Sequence, residues 1–307
     1  MQGIPVITRF LAQYLPFWNE MDFFAEIMDL VEWISVDCSE YIVSIMESLM
    51  RIYYRVEPME QCAILTSLSA MYTNIVYAST RKQQYFMSMQ SSRTDYPQIL
   101  RMVASNLTDL YNKGLQIKPE DARVQLSCAA AAERCARAEL ACARAPGAAP
   151  RPLALAVPLL APSAALLDSL AALLMLYRKI FSSMKAKNNR QTSSLDIEQF
   201  QALKAFTSDM ISCSYNEDFL SGRKKGFIFN RLHPQVVAKL SDIIPDVDSK
   251  LSIRNHLAFA PYTYVQLEGI ENVDADNSLW FSTAIDQEFT NLSKFLTKAV
   301  PQLGSNF

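Results

Sequence analysis

Residues 39–53 read SEYIVSIMESLMRIY. Ile42, Ile45, Met46, Leu49 and Tyr53 recur at three- and four-residue steps, the spacing that lines one face of a helix. Ser39 is a favoured N-cap residue at the start of that run. Upstream, Ile7, Phe10, Leu11, Tyr14 and Leu15 repeat the stripe until Pro16 and Trp18-Asn19 end it. Residues 22–34 carry Phe24, Ile27, Met28 and Val31 on one face. Downstream, Pro58 sits where first helical turns accept proline, and Cys62, Leu65, Leu68, Tyr72, Ile75 and Val76 extend a fourth helix.

Helix starts near 5, 22, 39 and 58 place two successive helices in roughly 35–40 residues, the scale of helical-hairpin repeats. The segments do not resemble one another, and no TPR consensus occurs. HEAT-type stacking needs only the apolar stripes. The pattern therefore predicts an all-α, HEAT-like antiparallel helical-repeat solenoid. Residues 81–96 are polar and read as a long surface loop; a fifth helix follows at 96–113, with Gly114 as its C′ glycine, and Pro119 opens a sixth. Further helices are predicted at 194–215, 234–244, 255–266 and 278–300, and a short strand at 226–229 at most. The expected organisation is a repeat segment at 1–118, an Ala-rich segment continuing the array at 119–192, and a C-terminal helical segment at 193–307.

Composition agrees with helices and little else. Seven glycines in 307 residues is far below the usual share of about 7 %. Glycine supplies the positive-φ turns and the close backbone approach on which phosphate loops depend. With 29 Lys+Arg against 31 Asp+Glu, no global charge draws the chain to nucleic acid or membrane. Eighteen alanines fall between Ala129 and Ala172. With Arg, Pro and Gly they share G+C-rich codons, so this stretch reads as an unusual insertion or a mistranslated segment. Residues 153–177 are long enough to span a bilayer, but Pro158, Pro162 and Asp168 interrupt them, which favours a buried core helix.

Cys128, Cys135 and Cys142 repeat every seven residues. Helical neighbours at that step stand about 10.5 Å apart along the axis, too far for a disulfide or one shared zinc. They read as reduced, small apolar residues on one face, in a reducing compartment. Only His233 and His256 could titrate as imidazoles near neutrality, and each reads as a helix-end or packing residue. No zinc-protease, dinucleotide, nucleophile-elbow or Walker sequence occurs, so neither an enzyme nor a bound cofactor is expected. Asp274-Ala275-Asp276-Asn277 opens like a calcium loop, but Leu279 and Ile285 stand where glycine and the bidentate glutamate belong. The two aspartates better suit the start of the helix that follows. The sequons at Asn106 and Asn291 lie in predicted helices.

Two basic clusters remain. One is Arg178-Lys179 with Lys185, Lys187 and Arg190; the other is Arg223-Lys224-Lys225 between Gly222 and Gly226. They read as solvated helix ends and a charged loop, or as a phosphate-facing patch on DNA or chromatin.

Several runs carry a resemblance. Phe10-Leu11, Leu15-Pro16-Phe17-Trp18 and Val31-Glu32-Trp33-Ile34 are followed in order by Leu176-Tyr177-Arg178-Lys179, by residues 194–213 and 219–229, and by Leu251-Ser252-Ile253 with 255–262. Together they resemble the centromere protein I family, collinear with the C-terminal half of a longer member. The Ala-rich stretch departs from the family, which is bulkier there. The resemblance implies a non-catalytic inner-kinetochore scaffold in the nucleus, at the centromere. The implied partners are centromere proteins H, K and M, with a possible contact to centromeric DNA and none to membrane. The other reading is a HEAT-like adaptor in another nuclear or cytoplasmic pathway.

Overall fold

The computed structural model describes residues 4–80, 95–186 and 285–299, with the single positions Gln201, Lys204, Gln235 and Ala258. Its helices are α1 (Pro5–Tyr14), α2 (Phe24–Val31), α3 (Ser39–Tyr53), α4 (Pro58–Thr80), α5 (Tyr96–Ile117), α6 (Ala122–Ala141), α7 (Pro152–Leu160), α8 (Ala164–Ala186) and α9 (Thr290–Ala299). Among the described residues there is no strand, only an isolated bridge between Ile4 and Ile34. The chain divides into two compact units. One holds α1–α6 and α8 from Arg178; the other holds α7, α8 through Tyr177, and α9. The expected helices at 194–215, 234–244 and 255–266, the loop at 81–94 and the strand at 226–229 lie outside the described residues.

In the first unit, α1 packs on α3 and α3 on α5, while α2 packs on α4 and α4 on α6. Neighbouring helices also touch, so α4 meets α2, α3, α5 and α6. That position demands apolar or small residues all round. Accordingly Ile64, Leu65, Ser67, Leu68, Ser69, Met71, Tyr72, Ile75 and Val76 are all buried. α6 packs on α4, and its Cys128, Ala131, Ala132, Cys135 and Ala138 are all buried, small side chains that suit close helix packing. The described cysteines, Cys38, Cys62, Cys128, Cys135 and Cys142, are free thiols.

Several boundaries differ from the sequence reading. α3 takes Cys38 as its N-cap, with no side-chain capping bond, so Ser39 is its first helical residue. α5 does not stop before Gly114 but runs three residues past it to Ile117. The glycine is needed inside the helix: a Cβ there would collide with Tyr53 Oη and stand 3.1 Å from Val124 Cγ1. α6 opens at Ala122 and not at Pro119, because Asp121 accepts the Arg123 and Val124 amides at 2.9 and 3.3 Å.

In the second unit, the apolar run at 153–177 is two helices and not one. Pro162 cannot continue a helix, and Ala161–Ser163 form the break before α8. Among the described residues no helix is long and apolar enough to cross a membrane. Asp168 on α8 holds the start of α9, accepting the Asn291 and Leu292 amides at 2.9 and 2.8 Å and the Asn291 side-chain amide at 2.8 Å. The Asn291 sequon is therefore spent on a helix start.

Candidate interaction surface

The chain places its apolar residues on two kinds of surface. The first is sealed. Glu139 of α6 is wholly buried, and its Oε1 accepts the Tyr72 hydroxyl at 2.7 Å and the Ala148 amide at 2.9 Å. Its Oε2 is buried without a hydrogen-bond partner. Burial raises the carboxyl to about 7, against the lowering pull of those donors and of Arg144. Gly147 leaves the space: a Cβ there would stand 3.2 Å from Tyr72 Oη. The cluster ties α4, α6 and the 142–151 connection together. The Glu139 and Tyr72 side chains are buried, which suits a structural role. Sequence reading missed it, although one signal was present. Glu139 falls four residues after Cys135, on the same small-residue face that reads as buried.

The second surface is open, at the N-terminal margin. In α1, Thr8, Leu11, Ala12 and then Leu15 face inward. Phe10, read from spacing as part of that core stripe, is 46 % exposed, and Val6 is 77 % exposed. Val6, Phe10, Tyr14 and Phe17 succeed one another turn by turn, and Phe10 stacks on Tyr14 at 5.2 Å. Phe17 (89 %), Met21 and Phe23 continue the exposed series into the α1–α2 connection. Burying a side chain of this size contributes roughly 1.5–3 kcal/mol.

That connection is fixed from beneath. Trp18 is buried, packs on Phe24 at 5.6 Å, and donates Nε1–H to the Asp22 carbonyl at 2.8 Å. Asn19 Oδ1 accepts the Met21 and Asp22 amides. Glu20 pairs with Arg55 at 3.1 Å, and Arg51 donates to the Pro16 carbonyl. Glu20 and Phe23 both hold positive φ, 68° and 58°. For a bulky residue such as Phe23 that conformation costs of order 1–2 kcal/mol. Strained backbone and unburied aromatic rings together make a preorganised surface, which lowers the entropy lost on binding.

Of the residues chosen from sequence, Arg178 and Lys179 lie on α8, exposed beside the buried Tyr177. Arg223, Lys224 and Lys225 lie outside the described residues, as do Lys187, Arg190, His233, His256, Asp274 and Asp276. Among the described residues no group of three His, Cys, Asp or Glu side chains could hold a metal ion.

Residues 1–92 are similar to the family described as Mis6 (CENP-I). α1 to α4 and the whole exposed margin fall inside that stretch. The runs after Ala154 that extend the resemblance lie beyond it. No curated protein matches the chain. The match supports a relation to the CENP-I family over those residues.

Proposed function

We propose that the protein is a non-catalytic scaffold subunit of the inner kinetochore, within the constitutive centromere-associated network. It works in kinetochore assembly and chromosome segregation by holding partner subunits on a HEAT-like helical array. What carries the reading is one coincidence: among the described residues, the stretch similar to the CENP-I family is the one that presents fixed, solvent-exposed aromatic residues. Apolar anchors of this kind supply most of the energy at protein interfaces. The two series of next-but-one contacts, α1–α3–α5 and α2–α4–α6, support the solenoid reading. On that reading residues 1–118 are the repeat segment, 119–192 continue the array, and 193–307 are a C-terminal helical segment.

The partners are then centromere proteins H, K and M, the site of action is the centromere in the nucleus, and the correspondence is to the family's C-terminal half. Arg178 and Lys179, with Arg223, Lys224 and Lys225, are the proposed contacts to centromeric DNA. The experiment is affinity purification of the tagged chain from dividing cells, with imaging of the same tag. Centromeric foci and co-purified H, K and M partners are expected. Replacing Phe17 and Phe23 together by Ser should cut their recovery at least tenfold. Diffuse signal and no such partners would overturn the reading. Replacing Arg223, Lys224 and Lys225 by Ala should weaken DNA binding and flatten its salt dependence. An unchanged salt slope would remove the DNA contact.

A further inference from the structure

The N-terminal turns of α3 and α5 enclose a groove of about 540 Å³, within the size range of ligand and peptide pockets. Val43, Ile99 and Met102 give it an apolar floor, and Glu40, Glu47 and Gln98 stand among its lining. Ile99 is buried, Met102 half-buried, and Val43 37 % exposed, so the apolar strip reaches solvent. Glu40 and Glu47 are both exposed, and neither forms an ion pair among the described residues. Asp37, just before α3, and Asp95, the N-cap of α5, add exposed carboxylates at the same helix ends.

We propose that this groove docks a basic amphipathic helix of a protein partner. Its apolar stripe would lie on Val43, Ile99 and Met102, and its lysines or arginines would meet Glu40 and Glu47. The charge sign selects the occupant: carboxylates beside the groove repel nucleic-acid phosphates and anionic lipid headgroups, and attract cations. Spacing selects its form. Glu40 and Glu47 are seven residues apart, about 10.5 Å along α3. Two cations at i and i+7 on an aligned helix repeat that distance, with apolar anchors at i+3 and i+4 between them. The groove shares no residue with the α1–α2 margin, so the inference does not rest on the kinetochore reading.

The test is fluorescence anisotropy of the full chain with three labelled 18-residue peptides. One is an amphipathic Leu/Lys helix, one replaces its Lys by Glu, and one scrambles the Leu/Lys order. The amphipathic basic peptide should bind at least tenfold tighter than the other two and weaken between 50 and 300 mM salt. E40Q/E47Q should weaken it at least fivefold, E40K/E47K further, and V43D comparably. F17S/F23S should leave it unchanged, which separates this site from the margin. Equal binding of the three peptides would overturn the proposal, as would affinity unaffected by E40Q/E47Q. The neutral pair keeps the test decisive if the charge reversal does not fold. A concentration-dependent dimer, dissolved by the same substitutions, would also overturn it, assigning the groove to a second copy of the chain.

Discussion

The α4–α6 seam and the α1–α2 margin lie in one unit and are built on opposite choices. The seam hides a carboxyl group, that of Glu139, together with the Tyr72 hydroxyl bound to it. The margin leaves Phe17, Met21 and Phe23 in water and holds Phe23 in a conformation that costs energy. Strain and exposure together do not stabilise a free chain. What they provide is a surface ready to be covered. On the proposed reading, stability and function fall to different helices. Substitutions should therefore separate them cleanly.

The largest effect is expected at the most deeply sealed group. Folding raises Glu139 to about 7 from an ordinary 4.5. Between those values the folded chain keeps a proton that the unfolded chain has released. Stability from this group is therefore fully present below pH 4.5, falls as pH rises, and is lost above about 7. The total is on the order of 3 kcal/mol. Tyr72, Cys135 and Arg144 are the titratable and charged groups that act on it. In urea unfolding across pH 4.5–8, Glu139→Gln should remove most of this slope and match or exceed the native chain above pH 7. An identical slope in both proteins would mean that Glu139 does not titrate in the fold, and the seam would lose its distinctive feature.

Next comes the glycine beside Tyr53. Tyr53 is fully buried with its hydroxyl unpartnered, and burial pushes its phenol far above the usual range. The Gly114→Ala methyl would collide with that hydroxyl, for a loss of about 1–3 kcal/mol despite alanine's better helix propensity. Tyr53→Phe deletes the hydroxyl and should be neutral or slightly stabilising, since no bond is lost. Combined with Gly114→Ala it should recover part of the loss. A double-mutant cycle measured by thermal unfolding reads that coupling directly. Strict additivity would show that the helices part elsewhere to admit the methyl group.

Much of the helical order was legible because its signals are local. The stripe at 39–53 and the proline at 58 each act within a turn or two. Partnership across helices was not. Gly114 looks like a stop because glycine usually ends helices; only Tyr53, sixty-one positions away, explains why it sits inside one. Asp168 looks like a charge interrupting an apolar run until α9 arrives to use it. Phe10 satisfies the spacing of a core residue, yet the inward arc of α1 is narrower than the apolar arc the sequence offers. That surplus was itself the clue to the margin, since a helix with more apolar face than core to cover has surface left for another molecule.

The smallest effect on the fold is expected at the margin, and its smallness is what matters. Phe17 and Phe23 touch water over most of their surface, so Phe17→Ser with Phe23→Ser should shift stability by only about 0.5 kcal/mol. Phe23→Gly should gain slightly, because relief of the positive φ outweighs glycine's unfolded-state entropy. Thermal unfolding of the purified variants measures both. Set beside recovery of partner subunits, the outcome divides two explanations of the same exposed rings. Unchanged melting with lost capture assigns them to binding. A fall of several kcal/mol would instead show that the margin is covered by the chain itself, and the contrast between a sealed seam and an open margin would collapse into one continuous core.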